Sequence, residues 1–296
     1  MYDQAQILRG MMERRTEPAA VEPAVVRRQA RTIAVTSGKG GVGKSNVALN
    51  LAIALQKMGH NVCLLDANLG LGNIDLLCGL NGYWNLSHVI SGARTVREIV
   101  LEGPCGIHVV PGASGLFDSA DCSPIGQREI LLQLEELEQH HDYLIIDTGT
   151  GIHRTVRRFV SAADTVLIVT TPEPTAIADA YATLKALSSG TELFQPHILV
   201  NLADSPAQAR EIIARVQQTA RTFLHLTVSS AGHIPRDPTV PAAVARRKPF
   251  VVDGSRSAAG MAIEQLARRM INMALPQSER GSFFSHFTLG LDQKAA

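Results

Sequence analysis

A glycine-rich loop at residues 37–45, Ser-Gly-Lys-Gly-Gly-Val-Gly-Lys-Ser, constrains the fold of this chain more than any other stretch. An apolar, β-prone run at 32–36 precedes the loop, and the apolar spacing of a helix follows it at 47–55. This order is typical of a phosphate-binding loop, because glycines let several backbone N–H groups face one anion. We therefore predict a nucleoside triphosphate site, with Lys44 at the β- and γ-phosphates and the Ser45 hydroxyl on Mg²⁺.

The alternative for this loop is a polar turn, and the strand and helix around it argue against that alternative. The loop residues that we predict to contact the nucleotide are Gly38, Lys39, Gly40, Gly41, Val42, Gly43, Lys44, Ser45 and Asn46.

Two other apolar runs, 61–66 and 143–147, end in aspartate. Such runs alternate with helical patterns, which predicts an α/β fold, a mostly parallel twisted sheet of about seven to eight strands with helices on both faces. Ligands bind at the carboxyl ends of parallel strands, so we expect Asp66 and Asp147 beside the loop as candidate metal ligands. Asp147 is the candidate Walker B residue, holding Mg²⁺ through water, and a glycine-containing loop is predicted at 148–151. A lone strand-end aspartate caps a turn about as often, so the metal interpretation depends on the phosphate-binding loop.

Length and composition limit the class of protein. The chain has 296 residues, 45% of them hydrophobic, which suits one large α/β domain with tails. A formal net charge of +1 argues against a protein that is basic overall and coats nucleic acid. The four cysteines form no Cys-x-x-Cys pair, which excludes the usual spaced zinc motifs and suggests reduced thiols. No apolar run approaches the ~20 residues of a membrane span, so we expect a soluble cytoplasmic protein.

The chain divides into four predicted segments. Residues 1–13 form an amphipathic helix that is too short to be stable alone and is expected to fold against a partner, the alternative being a frayed terminus. Residues 14–31 are a flexible linker, residues 32–276 the α/β domain, and residues 277–296 a C-terminal tail.

Lys39 adds a feature that the general motif lacks. The string Lys-Gly-Gly-Val-Gly-Lys-Ser that it begins is the deviant Walker A motif, and here the chain resembles the ParA/MinD class of P-loop ATPases. The resemblance implies ATP hydrolysis by a homodimer that encloses two ATP molecules, with Lys39 of each subunit touching the phosphates of the other. A cation supplied in trans resembles an arginine finger, which contributes roughly 10³–10⁵ in rate where it has been measured. The alternative to a role in trans is that Lys39 is an ordinary solvated lysine of the loop.

The segment after Asp66 departs from the family pattern. The family has Asp-x-Asp there, and its second aspartate activates the attacking water, whereas this chain has Asp66-Ala67-Asn68. An amide oxygen can accept a hydrogen bond from water but cannot take its proton, and loss of a positioned base costs about 10²–10⁴ in rate. We expect normal ATP binding and dimerisation with slow hydrolysis. The sequence does not separate a natural Asn68 from an introduced Asp→Asn change. The catalytic residues that the resemblance implies are Lys39, Asp66 and Asn68.

The resemblance also implies an adenine site. Asn201 ends a strand and Gly232–Asp237 forms a loop, and both match family elements, with Asn201, Pro235 and Asp237 expected to bind the nucleotide. The guanine signature Asn-Lys-x-Asp of GTPases is absent at 201–204, which favours ATP and ADP over guanine nucleotides.

The N-terminal string Asp-Gln-Ala-Gln-Ile-Leu-Arg at 3–9 is similar to the activation motif of the FlhG family of flagellar-number ATPases, also called FleN or YlxH. The resemblance implies the SRP-type GTPase FlhF as a partner. It also implies a flagellar transcription activator or a switch-complex component as a further partner. The residues expected to bind the GTPase are Asp3, Gln4, Ala5, Leu8 and Arg9.

The C-terminal tail places four apolar residues within an arc of about 100° on a helical wheel. MinD and FlhG end in a membrane-targeting helix, so the resemblance implies reversible binding to the cytoplasmic face of the inner membrane, at a cell pole. Gly290 and the scarcity of basic residues weaken this hypothesis, and the alternative is that the aromatic residues pack on the core. Membrane binding and packing on the core are both compatible if the tail packs on the core of the monomer and ATP-driven dimerisation releases it. The four residues are Phe283, Phe284, Phe287 and Leu291.

Three other functions stay open on the sequence alone. They are a MinD-like division-site ATPase, a ParA-like partition ATPase that coats DNA through the basic cluster 246–248, and a non-hydrolysing ATP-bound scaffold, which Asn68 makes credible. Nucleic acid is not expected as a partner, because that cluster is the only dense one in the α/β domain.

Overall fold

The eight strands of the described residues form one sheet. A computed structural model describes residues 30–68, 72–112, 124–188, 195–253, 256–273 and 283–284. The strands run in the order β3-β4-β2-β5-β1-β6-β7-β8, and only the β3–β4 pair is antiparallel. The bounds are β1 Arg31–Ser37, β2 Val62–Ala67, β3 Leu101–Glu102, β4 His108–Val110, β5 Tyr143–Thr150, β6 Thr165–Thr170, β7 Pro196–Ala203 and β8 Ser229–Pro235. The expected mostly parallel P-loop NTPase fold is confirmed.

Helices cover both faces of this sheet. The helices α1, α10 and α11 contribute to one apolar cluster, and α5 to α8 contribute to the other. The central strands are buried on both faces, which explains why β2 is apolar except for Asp66. The bounds are α1 Lys44–Lys57, α2 Ile74–Cys78, α3 Leu86–Ile90, α4 Val96–Ile99, α5 Pro124–Gln139, α6 Arg154–Ala162, α7 Pro174–Ser188, α8 Pro206–Leu224, α9 Thr239–Ala245, α10 Phe250–Asp253 and α11 Ala258–Asn272.

The structure differs from the sequence-based expectation in four places. Residues 232–235, expected in a loop, form the end of β8, where they pair with β7. The segment 148–150, expected in a loop, continues β5, because Thr148 pairs with Ala67 on one side and Thr150 with Ser37 on the other. The helix α6 was not anticipated; its apolar face is buried and its arginines separate the apolar positions. No helix was predicted between residues 74 and 106, and the structure has α2, α3 and α4 there.

The predicted segment boundaries are mostly outside the described residues. Residues 1–13 and all but the last two residues of the 14–31 linker lie there, as do most residues of the 277–296 tail. At the linker end, β1 already begins at Arg31 and Ala30 is buried. The four-segment division therefore stays a prediction.

Candidate functional site

The loop between β1 and α1 has the backbone that its glycines predict. Gly41 and Gly43 have φ values of 78° and 86°, a region that favours glycine. A Cβ added to Gly40 or Gly41 would meet nothing within 4 Å, so this side of the loop is open. The 14-residue helix α1 begins directly after it at Lys44 and directs its positive end there. An open glycine backbone beside a helix N-terminus fits a phosphate group.

Lys44 and Asp147 form a buried ion pair at the centre of the site. The Lys44 Nζ lies 2.6 Å from Asp147 Oδ1, and the two side chains are 5% and 1% exposed. Burial raises the pKa of Asp147, while Lys44 and the Ser45 hydroxyl act to lower it. The loop and the end of β5 thus bring together Lys44, Ser45 and Asp147, as expected from the sequence. A carboxylate and a hydroxyl are oxygen donors of the kind that Mg²⁺ prefers, so these residues fit that ion.

Asp66 holds the segment that follows β2. Its carboxylate is 2% exposed; Oδ1 accepts the N–H of Asn68 at 3.1 Å, and Oδ2 accepts the N–H groups of Asn73 at 3.0 Å and Ile74 at 3.2 Å. Burial and the neighbouring Asp147 raise the pKa of Asp66 to about 7, against the lowering effect of the Asn68 and Ile74 N–H groups and of Lys44. Asp66 therefore ties the end of β2 to the start of α2. Its proposed catalytic and metal-binding roles stay predictions.

Asn68 lies at the rim of a pocket beside the end of β5. A Cβ added to Gly149 would lie 3.6 Å from Asn68 Oδ1. The pocket has a volume of about 530 Å³, which is in the range of small-molecule sites. Asn68 is thus close to the loop and to the strand end, as its predicted role at the attacking water requires. The lining residues are Ser37, Lys39, Gly41, Val42, Gly43, Lys44, Ser45, Asn46, Asn68, Asn73, Leu76, Leu77, Thr150, Val244 and Arg247.

Lys39 is bound within its own chain. Its amine forms an ion pair with Glu173 and donates to Thr175 Oγ1 at 3.0 Å. The pair is at the surface, with side chains 36% and 63% exposed, and exposed pairs contribute little free energy. Lys39 can therefore exchange Glu173 for another anion at low cost, and its action on a second subunit stays a prediction.

Asn201, one of the residues expected at the adenine, contacts the glycine-rich loop. Asn201 Nδ2 donates to the carbonyl of Val42 at 2.8 Å, and a Cβ on Gly43 would lie 2.4 Å from that nitrogen. The end of β7 thus holds the glycine-rich loop in place. This contact requires a glycine at position 43. The base contact predicted for Asn201 stays a prediction.

Asp237 connects two helix starts. Asp237 Oδ1 accepts hydrogen bonds from the Thr239 N–H at 2.9 Å and from the Thr239 hydroxyl at 2.7 Å, while Oδ2 accepts one from the Ala259 N–H at 3.0 Å. The Ala259 N–H is the main group that lowers the pKa of Asp237. Within the described residues both oxygens bind the chain itself, and Pro235 ends β8 just before this residue. The nucleotide contacts predicted for Asp237 and Pro235 stay predictions.

The pocket also contains residues that the sequence analysis did not assign to it. Leu76 and Leu77 come from α2, Val244 from α9, and Arg247 from the turn after α9. Arg247 belongs to the basic cluster that was considered only as a DNA-binding face. No periodicity in the sequence indicates that α9 ends beside the phosphate-binding loop.

Two residues of the proposed membrane helix are buried against the domain. Phe283 and Phe284 are 3% and 2% exposed, and Phe283 stacks on Phe159 of α6 with centroids 6.2 Å apart. Phe287 and Leu291 lie outside the described residues, as do Asp3, Gln4, Ala5, Leu8 and Arg9. Among the helices that are described, none combines the length and the apolar character needed to cross a membrane.

Comparison with known proteins agrees with this site. The AAA_31 family, described as AAA domain, matches residues 30–199. Over 251 residues the chain is 39% identical to the antiactivator FleN of Pseudomonas aeruginosa, covering 85% of this chain and 90% of FleN. It is 34% identical to the flagellum site-determining protein YlxH of Helicobacter pylori over 260 residues, covering 85% and 87%.

The fold is similar to that of MinD. The MinC:MinD cell division protein complex of Aquifex aeolicus matches with a TM-score of 0.65 and 28% identity, covering 85% of this chain and 100% of that one. The matches in sequence and fold agree with the deviant glycine-rich loop and the parallel sheet. The chain therefore belongs to the MinD/ParA family of P-loop ATPases, in the group that includes FleN and YlxH.

Proposed function

We propose that this protein is an ATP- and Mg²⁺-dependent switch that dimerises on ATP binding and thereby controls the number and placement of flagella. The names of its relatives, an antiactivator and a flagellum site-determining protein, support the flagellar role. The observation that carries the switch is the position of Lys39 and Asn68, which line one pocket with Lys44 and Ser45. Lys39 is expected to act across the dimer, and Asn68 is expected to set the rate of hydrolysis.

The residues of the pocket divide the work of binding and hydrolysis. Lys44 holds the phosphates, and Ser45 and Asp147 hold Mg²⁺, which supplies charge that stabilises the transferred phosphoryl group. Lys39 exchanges its exposed partner Glu173 for the phosphates of the second subunit. Asn68 orients the attacking water through its amide oxygen but leaves it without a base. Slow turnover prolongs the ATP-bound dimer, so the protein acts for long periods as a scaffold.

The test is ATP turnover of the chain beside its Asn68→Asp variant, with dimerisation followed in the same samples by light scattering. The variant is expected to turn over ATP about a hundredfold faster, because it regains a positioned base, while both proteins dimerise. Asn68→Ala is the matched control and is expected to be no faster than the parent. Equal rates for the parent and Asn68→Asp would show that another group positions the water.

The partner proposal concerns residues 1–13. We expect this segment to fold as a helix on an SRP-type GTPase of the FlhF kind and to stimulate its GTP hydrolysis, with a flagellar transcription activator or switch-complex component as a further partner. The string at 3–9 supports this proposal. Leu8→Ala in the full chain is expected to abolish the stimulation and to leave ATP-dependent dimerisation intact. Full stimulation by the Leu8→Ala variant would contradict the docking helix.

The cellular site that we propose is the cytoplasm, with reversible attachment to the cytoplasmic face of the inner membrane at a pole. The proposal combines the family resemblance with the apolar side chains of the C-terminal tail. Two of those side chains pack on α6 and the core, so attachment requires their release.

A further inference from the structure

The end of α9 has a backbone conformation that favours glycine, and an arginine occupies it. The N–H of Arg247 donates to the Val244 carbonyl at 2.9 Å, and the N–H of Lys248 donates to the Ala243 carbonyl at 3.1 Å. This pair of bonds is a Schellman motif, whose left-handed position is usually glycine. Arg247 has a φ of 53° there, which is unfavourable for any residue with a Cβ. The chain therefore keeps an arginine at a conformational cost.

The position of Arg247 is set by its neighbours. A Cβ added to Gly79, which follows α2, would lie 3.0 Å from the Arg247 carbonyl oxygen. The turn after α9 thus packs closely on the end of α2, and Asp66 holds the start of that same helix. Arg247 lines the pocket from this side, with the glycine-rich loop also in its wall. The packing of the turn after α9 on the end of α2 therefore fixes the position of Arg247 at the pocket.

The charges of the pocket distinguish Arg247 from the two lysines. Lys44 is paired with Asp147 and Lys39 with Glu173. Arg247 lines the same pocket and has no ion-pair partner among the residues that the structure describes. A guanidinium group binds phosphate through two parallel hydrogen bonds, and an exposed one loses little on contact because it is weakly hydrated.

We propose that Arg247 is a third cation for the nucleotide, binding its phosphate oxygens within the same chain opposite the glycine-rich loop. This inference rests on the proposed nucleotide site and adds a binding residue outside the Walker motifs. The strained backbone of Arg247 is the cost of presenting that side chain.

The experiment compares Arg247→Gly with His225→Gly. His225 ends α8 with the same φ of 53° and is not among the residues that line the pocket. His225→Gly therefore makes the same backbone change without removing a side chain from the pocket. The measurements are ADP affinity with Mg²⁺ by calorimetry and the melting temperature without nucleotide. ADP is used because the expected dimerisation depends on ATP. Both variants are expected to gain about 1–3 °C in melting temperature from relief of strain.

The two variants are expected to differ in affinity. Arg247→Gly should bind ADP roughly 10- to 100-fold more weakly, the effect of one charge-assisted contact, and His225→Gly should bind it like the parent chain. Equal ADP affinity for Arg247→Gly and the parent overturns the inference, and the nucleotide site itself stands if Lys44→Ala abolishes binding in the same assay. If the parent chain binds no ADP, the proposed nucleotide site and this inference are both wrong.

Discussion

At the scale of single residues, the ion pair of Lys44 and Asp147 is the salt bridge of the described residues in which both partners are buried. Both side chains are almost fully buried, so each charge has lost its water and depends on the other. Lys44 of the glycine-rich loop is thereby held at β5, with its Nζ 2.6 Å from Asp147 Oδ1. Replacing one partner alone leaves an uncompensated charge in the interior.

The first prediction concerns Lys44→Met. The variant is expected to lose roughly 3–5 kcal/mol of unfolding free energy at neutral pH, because Asp147 stays buried without a counter-charge. Burial already raises the pKa of Asp147, and removal of Lys44 raises it further. A carboxyl group with a raised folded-state pKa stabilises below its unfolded pKa and loses that contribution as pH rises. The loss should therefore shrink towards pH 4.

Urea unfolding between pH 4 and pH 8 measures this effect. The double variant Lys44→Met, Asp147→Leu is the control and should recover most of the stability, since it removes both charges. A Lys44→Met defect that is constant with pH would mean that Asp147 is not the group responsible.

At the scale of secondary-structure elements, the contact of Phe283 and Phe284 with α5 and α6 includes one buried carboxyl group. Glu138 at the end of α5 is 1% exposed, and its Oε1 accepts the Phe283 N–H at 3.0 Å. Burial raises the pKa of Glu138 to about 7, with Glu135 and Asp164 adding to the rise and the N–H groups of the phenylalanines opposing it. The segment is thus attached both by apolar contact and by a polar group that titrates near neutral pH.

The second prediction is the pH profile of Glu138→Gln. The folded-state pKa of Glu138 is above its ordinary value of 4.5, so the native protein loses stability as pH rises from about 4.5 through 7. The amide can still accept the Phe283 N–H and carries no charge. The variant should therefore exceed the parent in stability by up to about 3 kcal/mol at pH 8 and by little at pH 4. Thermal unfolding across this range tests it, and parallel profiles for the two proteins would refute it.

At the scale of the whole molecule, nucleotide state and membrane attachment are expected to be linked through the tail. Withdrawing Phe283 and Phe284 from the core costs roughly 1.5–3 kcal/mol for each side chain. A shift of a two-state population from 1:99 to 99:1 needs about 5.5 kcal/mol, which is of the same size. If ATP-dependent dimerisation supplies such a difference, the two buried phenylalanines suit a conditional anchor.

The third prediction is ATP-dependent sedimentation with liposomes of anionic lipid. The parent chain is expected to sediment with ATP and to stay in the supernatant with ADP. Lys39→Ala should stay in the supernatant in both cases, because it lacks the residue proposed to join the dimer. Phe287→Ser, outside the buried pair, should weaken binding without changing dimerisation. Sedimentation that is independent of nucleotide would contradict the linkage.

Features that depend on neighbours in sequence were predictable. The glycine-rich loop, the strand–loop–helix order and the aspartates at strand ends follow from local backbone preferences and from apolar periodicity. Lys44, Ser45 and Asp147 could be placed together because the carboxyl ends of parallel strands share one edge. The start of α8 has the same kind of local cause, a Ser205 cap followed by proline.

Features that depend on distant parts of the chain were decided only by the tertiary structure. The Glu138–Phe283 bond spans 145 positions, and no local pattern indicates it. The extension of β5 through Thr150 requires partner strands on both sides, and Arg247 lines the pocket where the turn after α9 packs on the end of α2. The sequence by itself determined the fold class and the phosphate-binding loop, since these arise from short-range hydrogen bonding and periodicity. The partners of Lys39 and Glu138 depend on packing between elements, so only the folded chain determines them.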